Sequence, residues 1–215
     1  MGPASPDLEA VTVDALGTCV ELEDPTEALR AALARAGCAR PREAVRAAFE
    51  AEAAYYVPRS HTGSDPASLA ALRRRSVGVF LAAAGADVET GDFVGEFLAS
   101  LRFRAVEGAA ETLDALGSAG LRLACVANWD VSLPDALAAA GLEGRFHTVV
   151  SSAEAGAPKP DPAPFRLALG RLAVPADRAL HIGDSAADRD GARAAGLAFA
   201  TVPLATLPAR LGIER

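Results

Sequence analysis

The stretch that decides the fold is Glu9 to Val20, with the sequence EAVTVDALGTCV. It is apolar and β-branched up to Val13, and the pattern then breaks at Asp14 into a short turn that contains glycine. A run of this kind that ends in turn residues is typical of a buried strand. In a parallel α/β sheet, ligands bind beyond the carboxyl ends of the strands. Asp14 therefore either takes part in chemistry at that edge or caps a turn, and this segment leaves both interpretations open.

The composition limits the kinds of partner that this chain can have. The 215 residues are 51% hydrophobic, and the formal net charge is -7. An acidic chain with no basic stripe argues against nucleic acid or an anionic membrane as the main partner. Residues 1–8 lack the features of a signal peptide, and no apolar run reaches membrane-spanning length. We therefore expect a cytoplasmic protein that acts on a small-molecule substrate; the sequence gives no oligomeric state.

Cysteine and lysine are both used sparingly. Cys19, Cys38 and Cys125 are odd in number and far apart, so they indicate neither a disulfide framework nor a metal knuckle. Lys159 is the only lysine in the chain, beside many arginines. A general preference for arginine explains that composition. Lysine is nevertheless a compact point charge where arginine is a planar fork, so Lys159 is a candidate functional residue.

The pattern of elements predicts an α/β protein with a helical insertion. From Glu23 to Arg104 the sequence predicts only helices, after which strands alternate with helices. The strands after the insertion are predicted at Leu121–Ala127, Thr148–Ser151, Ala179–Ile182 and Leu197–Val202. Alternation of this kind predicts a doubly wound parallel sheet. The sheet domain then comprises residues 1–22 and 105–215, split by an insertion of residues 23–104.

Polar side chains follow four of the predicted strands. They are Asp14, Asn128 with Asp130, Lys159 in the loop after the third strand, and Asp184 with Asp188. If the sheet is parallel, all of them lie at one edge. Carboxylates without a nearby histidine or cysteine cluster favour a hard cation, of which Mg²⁺ is the leading candidate. In the alternative interpretation these acids pair with Arg171, Arg189 and Arg193 on a solvated face.

Four segments carry a resemblance to a known family. They are VDALGT (13–18), ANWD (127–130), KPDPAPF (159–165) and HIGDSAAD (181–188). Their order and spacing resemble the four motifs of the haloacid dehalogenase superfamily, over nearly the whole chain. The resemblance implies a Rossmann-like, three-layer core with a parallel sheet, and a helical cap of the first type formed by the insertion. It also implies a hydrolase that uses Mg²⁺.

The resemblance further implies roles for individual residues. Asp14 matches the nucleophile that forms a covalent aspartyl intermediate, and Lys159 matches the lysine that steadies it. The implied Mg²⁺ ligands are Asp14, the backbone carbonyl of Leu16, Asp184 and Asp188. Thr18 and Asn128 match polar positions around the phosphate. Because phosphatases of this type take specificity from the cap, Arg59 and His61 are candidate substrate ligands, although a purely structural role stays equally open for both.

Two positions depart from the phosphatase pattern. Leu16 stands where those enzymes carry a second aspartate as general acid and base, and Ala127 stands where they carry a hydroxyl. Loss of a positioned acid typically costs about 10²–10⁴-fold in rate. Three hypotheses follow: a slow or selective Mg²⁺-dependent phosphohydrolase, a 2-haloacid dehalogenase, whose branch also lacks the acid, and a non-catalytic phosphate-binding protein. The phosphatase form of the fourth motif, from Gly183 to Asp188, favours the first.

Overall fold

A computed structural model of the chain describes residues 8–201 and 203–213. These residues form two compact units. The sheet unit comprises the described residues up to Glu21 and from Phe103 onward, and the helical unit comprises Leu22–Arg102. The sheet unit contains a parallel five-stranded sheet with helices on its faces, which confirms the predicted Rossmann-like α/β class.

The strands of the structure are β1 Ala10–Val13, β2 Val20–Leu22, β3 Phe103–Ala105, β4 Arg122–Ala127, β5 Thr148–Ser151, β6 Ala179–Ile182 and β7 Ala198–Ala200. The main sheet has the order β5-β4-β1-β6-β7, and β2 pairs with β3. Val13 is in register with Cys125 on one side and with Ile182 on the other. The residue that follows β1, Asp14, therefore emerges between two strand ends at the topological switch point, where α/β sheets bind ligands.

Side chains of β1 alternate between two hydrophobic layers, as the period of a strand requires. Val11 and Val13 pack in one cluster, and Ala10 packs in the other. The helices of the sheet unit are α5 Ala109–Ser118, α6 Leu133–Ala139, α7 Ser152–Ala155, α8 Ala163–Leu172, α9 Ala186–Ala195 and α10 Leu207–Arg210. Because α5, α6 and α10 cover one face and α8 and α9 the other, the predicted three-layer core is confirmed.

The helical unit contains α1 Thr26–Arg35, α2 Arg42–Tyr56, α3 Pro66–Ala83 and α4 Thr90–Ala99. Helix α3 starts at a capping box in which the Asp65 side chain accepts from the backbone of Ser68, and Pro66 occupies the first helical position. The core of this unit is aromatic: the Phe80 ring lies 6.0 Å from Phe93 and 5.1 Å from Phe97. The helices predicted for this segment are thus present.

Some predicted bounds differ from the structure. The prediction of helices alone up to Arg104 is wrong at its end, because Phe103–Ala105 forms β3 by pairing with β2. Helix α7 lies mostly in the loop expected after the strand Thr148–Ser151, and the Ser151 hydroxyl at its start accepts from the Glu154 amide at 3.1 Å. Val202, the last residue of a predicted strand, lies outside the described residues, as do residues 1–7. Among the helices that the structure describes, none is long and apolar enough to cross a membrane.

Candidate active site

Asp14 is held at the end of β1 by a tight turn. Its amide donates to the Ile182 carbonyl at 2.9 Å, and the residue is 7% exposed. The carbonyl of Ala15 accepts the amide of Val20 at 2.9 Å, which closes the turn behind it. Gly17 has φ +87°, and a Cβ there would lie 2.4 Å from Asp184 Oδ2. Glycine is therefore required at this position both by the backbone and by the closeness of Asp184.

The ammonium of Lys159 lies between two carboxylates. Its Nζ donates to Asp14 Oδ1 at 2.5 Å, to Asp188 Oδ1 at 2.5 Å and to the Val126 carbonyl at 2.9 Å. An ammonium has three N–H donors, so all of them are used. The residue is 5% exposed, although lysine is rarely buried. The only lysine of the sequence is therefore built into the interior of the sheet edge.

In the described residues, two arginines of the alternative interpretation, Arg171 and Arg189, pair with other acids. Arg171 pairs with Glu154 at 2.5 Å, and Arg189 pairs with its neighbour Asp190 at 2.9 Å. Both pairs are exposed to solvent. Asp14 and Asp188 instead pair with the Lys159 ammonium.

The start of α9 fixes the carboxylate of Asp188. Ser185 and Asp188 form a capping box, in which Asp188 Oδ2 accepts from the amide and the hydroxyl of Ser185. The other oxygen, Oδ1, accepts from Lys159 and lies 3.1 Å from His181 Nε2. A Cβ at Gly183 would lie 2.5 Å from Asp188 Cγ, so glycine makes room for this carboxylate.

Burial and charge act on these groups in opposite directions. Burial raises the pKa of Asp14 to about 6, although the nearby Lys159 charge opposes the shift. Burial also disfavours the charged form of Asp188, but the His181 hydrogen bond and the Lys159 charge outweigh it and lower the pKa of Asp188. Burial would lower the pKa of Lys159, yet the two carboxylates raise it. The ammonium is thus kept charged beside its acceptors.

The donor set fits a hard divalent cation. Carboxylate oxygens of Asp14, Asp184 and Asp188 lie within 4.8 Å of one another. Within the described residues, no backbone amide donates a hydrogen bond to the carbonyl of Leu16. Oxygen ligands of this type suit Mg²⁺. The three predicted aspartate ligands therefore lie together, while metal binding and the part of the Leu16 carbonyl in it stay predictions.

The supporting polar residues occupy different positions. Asn128 holds the backbone of Lys159, since its Oδ1 accepts from the Lys159 amide at 2.7 Å and its Nδ2 donates to the Lys159 carbonyl at 3.1 Å. The Thr18 hydroxyl is buried and has no hydrogen-bond partner in the described residues, as expected for a group that binds a ligand. Asp130 instead accepts from the Ser132 amide at 2.7 Å, at the start of α6. A cavity of about 370 Å³ in the sheet unit is lined in part by Thr18 and Asp184.

Arg59 and His61 lie in the helical unit, in a 3₁₀ turn at Val57–Thr62 that follows α2. The Arg59 guanidinium lies 4.3 Å from the centre of the Tyr55 ring and donates to the Tyr55 carbonyl at 2.8 Å. Stacking on tyrosine and a backbone hydrogen bond give Arg59 a structural role in this turn. Substrate binding by Arg59 and His61 stays a prediction.

His181 was missed in the sequence, although it stands in the quoted fourth motif. It is fully buried in β6 and contacts Asp188. A histidine in the middle of an apolar strand, seven residues before a site carboxylate, is the signal that could have identified it.

The family model of haloacid dehalogenase-like hydrolases matches residues 8–196. The chain belongs to this family and is a haloacid dehalogenase-like hydrolase. Its fold is similar to that of a 2-haloacid dehalogenase from Pseudomonas syringae pv. Tomato DC3000, with a TM-score of 0.65 and 24% identity over 95% of this chain and 98% of that one.

Two curated relatives match part of the sequence. Haloacid dehalogenase-like hydrolase domain-containing protein 3 from Mus musculus is 41% identical over 103 residues, which are 47% of this chain and 41% of the relative. A phosphoglycolate phosphatase from Nitrosospira multiformis is 42% identical over 102 residues, which are 46% of this chain and 44% of the relative. The chain thus matches less than half the length of either relative.

Proposed function

We propose that the protein is a Mg²⁺-dependent phosphohydrolase that acts on a small phosphorylated metabolite through an aspartyl-phosphate on Asp14. The observation that carries this proposal is the buried Lys159 ammonium, 2.5 Å from carboxylate oxygens of both Asp14 and Asp188. A fixed cation beside an acidic cluster suits a reaction that brings an anionic nucleophile to an anionic phosphoryl group. The similarity to a phosphoglycolate phosphatase supports the same class of substrate.

In the proposed reaction, an Asp14 carboxylate oxygen attacks phosphorus, and the bond from phosphorus to the leaving oxygen breaks with its electron pair. Water then attacks phosphorus, the bond from phosphorus to the Asp14 oxygen breaks with its electron pair on Asp14, and the hydrogens of water leave on inorganic phosphate as dihydrogen phosphate. A covalent intermediate of this kind replaces one difficult displacement by two easier ones. Lys159 offsets the charge of Asp14 as the phosphoryl group approaches. Held by Asp14, Asp184, Asp188 and the Leu16 carbonyl, Mg²⁺ would supply further positive charge to the phosphoryl oxygens.

Leu16 restricts the leaving groups in this proposal. This residue is 47% exposed, and its side chain has no acidic group that can donate a proton. Since a general acid typically contributes about 10²–10⁴-fold, ordinary monoesters are turned over slowly. The preferred substrates are those whose leaving group departs without a proton, such as acyl phosphates, which release a carboxylate.

A 2-haloacid dehalogenase is the second candidate, and Leu16 is also the observation that favours it, because halide leaves without a proton. The cluster of three carboxylates argues against it, since that displacement needs no metal ligands. A phosphate-binding protein without activity is the third candidate, in view of Leu16 and Ala127.

The test measures phosphate release from acyl phosphates and monoesters with and without Mg²⁺, and chloride release from 2-chloropropionate without metal. The expected result is Mg²⁺-dependent phosphate release that is lost in Asp14→Asn and retained in Asp177→Asn, an exposed aspartate of the same unit. Chloride release without metal would establish the second candidate instead. No release of either product, with a phosphate mimic still bound, would establish the third.

A further inference from the structure

His181 is a buried side chain that the proposed reaction does not use. Its Nε2 lies 3.1 Å from Asp188 Oδ1, and its Nδ1 lies 2.8 Å from Thr12 Oγ1. Thr12 and His181 are direct partners in the register of β1 and β6, so their side chains project from the same face of the sheet. Both residues are fully buried. The contact between them is therefore set by the strand pairing itself.

The partners of the imidazole decide which nitrogen carries its hydrogen. An imidazole with a single N–H that lies between an ionised carboxylate and a hydroxyl places its hydrogen on the nitrogen facing the carboxylate, because the hydroxyl can donate to the other nitrogen. The ionised Asp188 carboxylate can only accept, so Nε2 donates to it. Nδ1 is then the acceptor of the Thr12 hydroxyl. The Thr12 carbonyl is also 3.1 Å from Nδ1, but a hydrogen on Nδ1 would turn the Nε2 lone pair toward the carboxylate.

Aromatic rings hold the imidazole in this orientation. The Phe165 ring meets it edge to face, with the ring centres 4.8 Å apart and an angle of 83° between the planes. Phe199 lies on another side at 6.2 Å. Because the ring is packed as well as hydrogen-bonded, its N–H keeps a fixed direction toward Asp188.

We infer that His181, oriented by Thr12, is a positioning residue that sets how the Lys159 ammonium is shared between Asp188 and Asp14; its catalytic consequence rests on the proposed function. Asp188 Oδ1 accepts from both His181 and Lys159, while Asp14 competes for the same ammonium. A carboxylate oxygen that already accepts one hydrogen bond attracts a second donor less strongly. Loss of the His181 donor would draw Lys159 toward Asp188 and away from the nucleophile.

Because Lys159 is the only lysine, the environment of its ammonium can be measured without substrate or metal. In protein labelled with [ε-¹⁵N]lysine, Lys159 gives a single side-chain nitrogen signal, because the sequence has no other lysine. His181→Phe removes the donor and keeps a ring, and we expect it to shift the Lys159 signal. His181→Gln restores a side-chain N–H and should return the signal part of the way. Thr12→Val should shift the Lys159 signal in the same direction as His181→Phe does. Because the two residues act as one unit, the double variant should shift the signal little further than His181→Phe alone.

The control for a merely structural effect is Leu169→Ala, which removes buried volume from the hydrophobic cluster of α8 and does not touch the carboxylates. It should lower the unfolding midpoint and leave the Lys159 signal in place. In the active protein, His181→Phe should lower kcat by about 10–100-fold, the range for residues that orient a site group, with little change in KM.

The two proposals fail in different ways. If His181→Phe and Leu169→Ala have the same lysine signal and the same kcat, while Asp14→Asn still abolishes phosphate release, His181 is only a packing residue and the inference is overturned. If the wild-type protein releases no phosphate in a manner that depends on Asp14, the proposed function fails. The lysine signal then still decides whether His181 positions Lys159.

Discussion

Leu16 is the residue whose side chain limits the proposed chemistry most directly. Replacing it by aspartate offers a carboxyl group two residues after the nucleophile, at a position where the present side chain is exposed and leaves room for it. We expect Leu16→Asp to raise kcat for ordinary phosphate monoesters by about 10²-fold or more, because it supplies the missing proton donor. The measurement is steady-state phosphate release from a panel of monoesters and one acyl phosphate.

Leu16→Asn is the matched control, since it has the shape and polarity of aspartate but transfers no proton. It should leave monoester turnover unchanged, and the acyl phosphate should gain little from either substitution. Equal gains from aspartate and asparagine would show that polarity, and not proton transfer, limits the rate.

Lys159 also contributes to the stability of the fold. Lys159→Met leaves the buried carboxylates of Asp14 and Asp188 without their cation. Removal of one partner from a buried ion pair costs about 3–5 kcal/mol in the free energy of unfolding. We expect a loss of this size in urea unfolding at neutral pH without divalent metal. Lys159→Met combined with Asp188→Asn should regain part of it, because one unpaired charge is removed.

Arg30→Met is the control for that loss. Arg30 pairs with Glu27 at 2.7 Å, but both side chains are about half exposed, and such pairs contribute little to stability. If Lys159→Met cost no more than Arg30→Met, the buried cluster would not stabilise the fold.

The place of a residue in the site is easier to predict from the sequence for some residues than for others. Asp14, Lys159, Asp184 and Asp188 could be predicted to lie near one another, because each follows a strand and parallel strands end at one edge. His181 could not, since its contact with Thr12 depends on the register of two strands that are far apart in the chain. Register is a property of the assembled sheet and leaves no local pattern.

At the scale of elements, periodicity predicts the long helices better than the short strands. Helix α3 has a proline and a capping box at its start, which are local signals. Strand β3 has three residues, too few for any alternation to be recognised, and it exists because β2 is available as a partner. The bounds of such short elements depend on tertiary pairing, which explains why β3 was missed.

The turn after β1 can be tested through its glycine. In Gly17→Ala the new Cβ meets Asp184 Oδ2, and the positive φ adds strain of about 1–2 kcal/mol. We expect both a lower unfolding free energy and weaker binding of Mn²⁺, used as a spectroscopic substitute for Mg²⁺, because Asp184 must move. Electron paramagnetic resonance of free Mn²⁺ measures the affinity.

Gly37→Ala separates the effect of backbone strain from the effect of the contact with Asp184. Gly37 has φ +76° and nothing within 4 Å of an added Cβ, so the substitution brings strain without a clash. It should lower stability by a similar amount and leave Mn²⁺ affinity unchanged. Equal Mn²⁺ affinities in the two variants would mean that Asp184 is not part of a metal site.

At the scale of the whole molecule, the chain leaves the sheet unit after β2 and returns to it at β3. The insertion could be predicted because the pattern changes from one strand to four successive helices and then to alternation. The sheet unit has two hydrophobic clusters and the helical unit has one, which is rich in phenylalanine.

Glu52 makes the stability of the helical unit depend on pH. It lies in α2 and is buried, as is Ser76 in α3. Burial raises the pKa of Glu52 above its ordinary value of 4.5, and a hydrogen bond with Ser76 offsets only part of this shift. The folded state therefore binds the proton more tightly than the unfolded chain does. The stabilisation from the protonated form is complete below the unfolded pKa and is lost as pH rises through the folded pKa.

Glu52→Gln keeps the shape of the protonated acid and removes its titration. The variant should be more stable than the wild-type protein at neutral pH, and this advantage should shrink as the pH falls toward 4.5, the ordinary value for glutamate. Thermal unfolding across that range measures it, with Glu50→Gln, an exposed position of the same helix, as the control that should show no such trend. A variant that is less stable at neutral pH would mean that Glu52 stabilises the helical unit as a carboxylate, which is the opposite of what its burial implies.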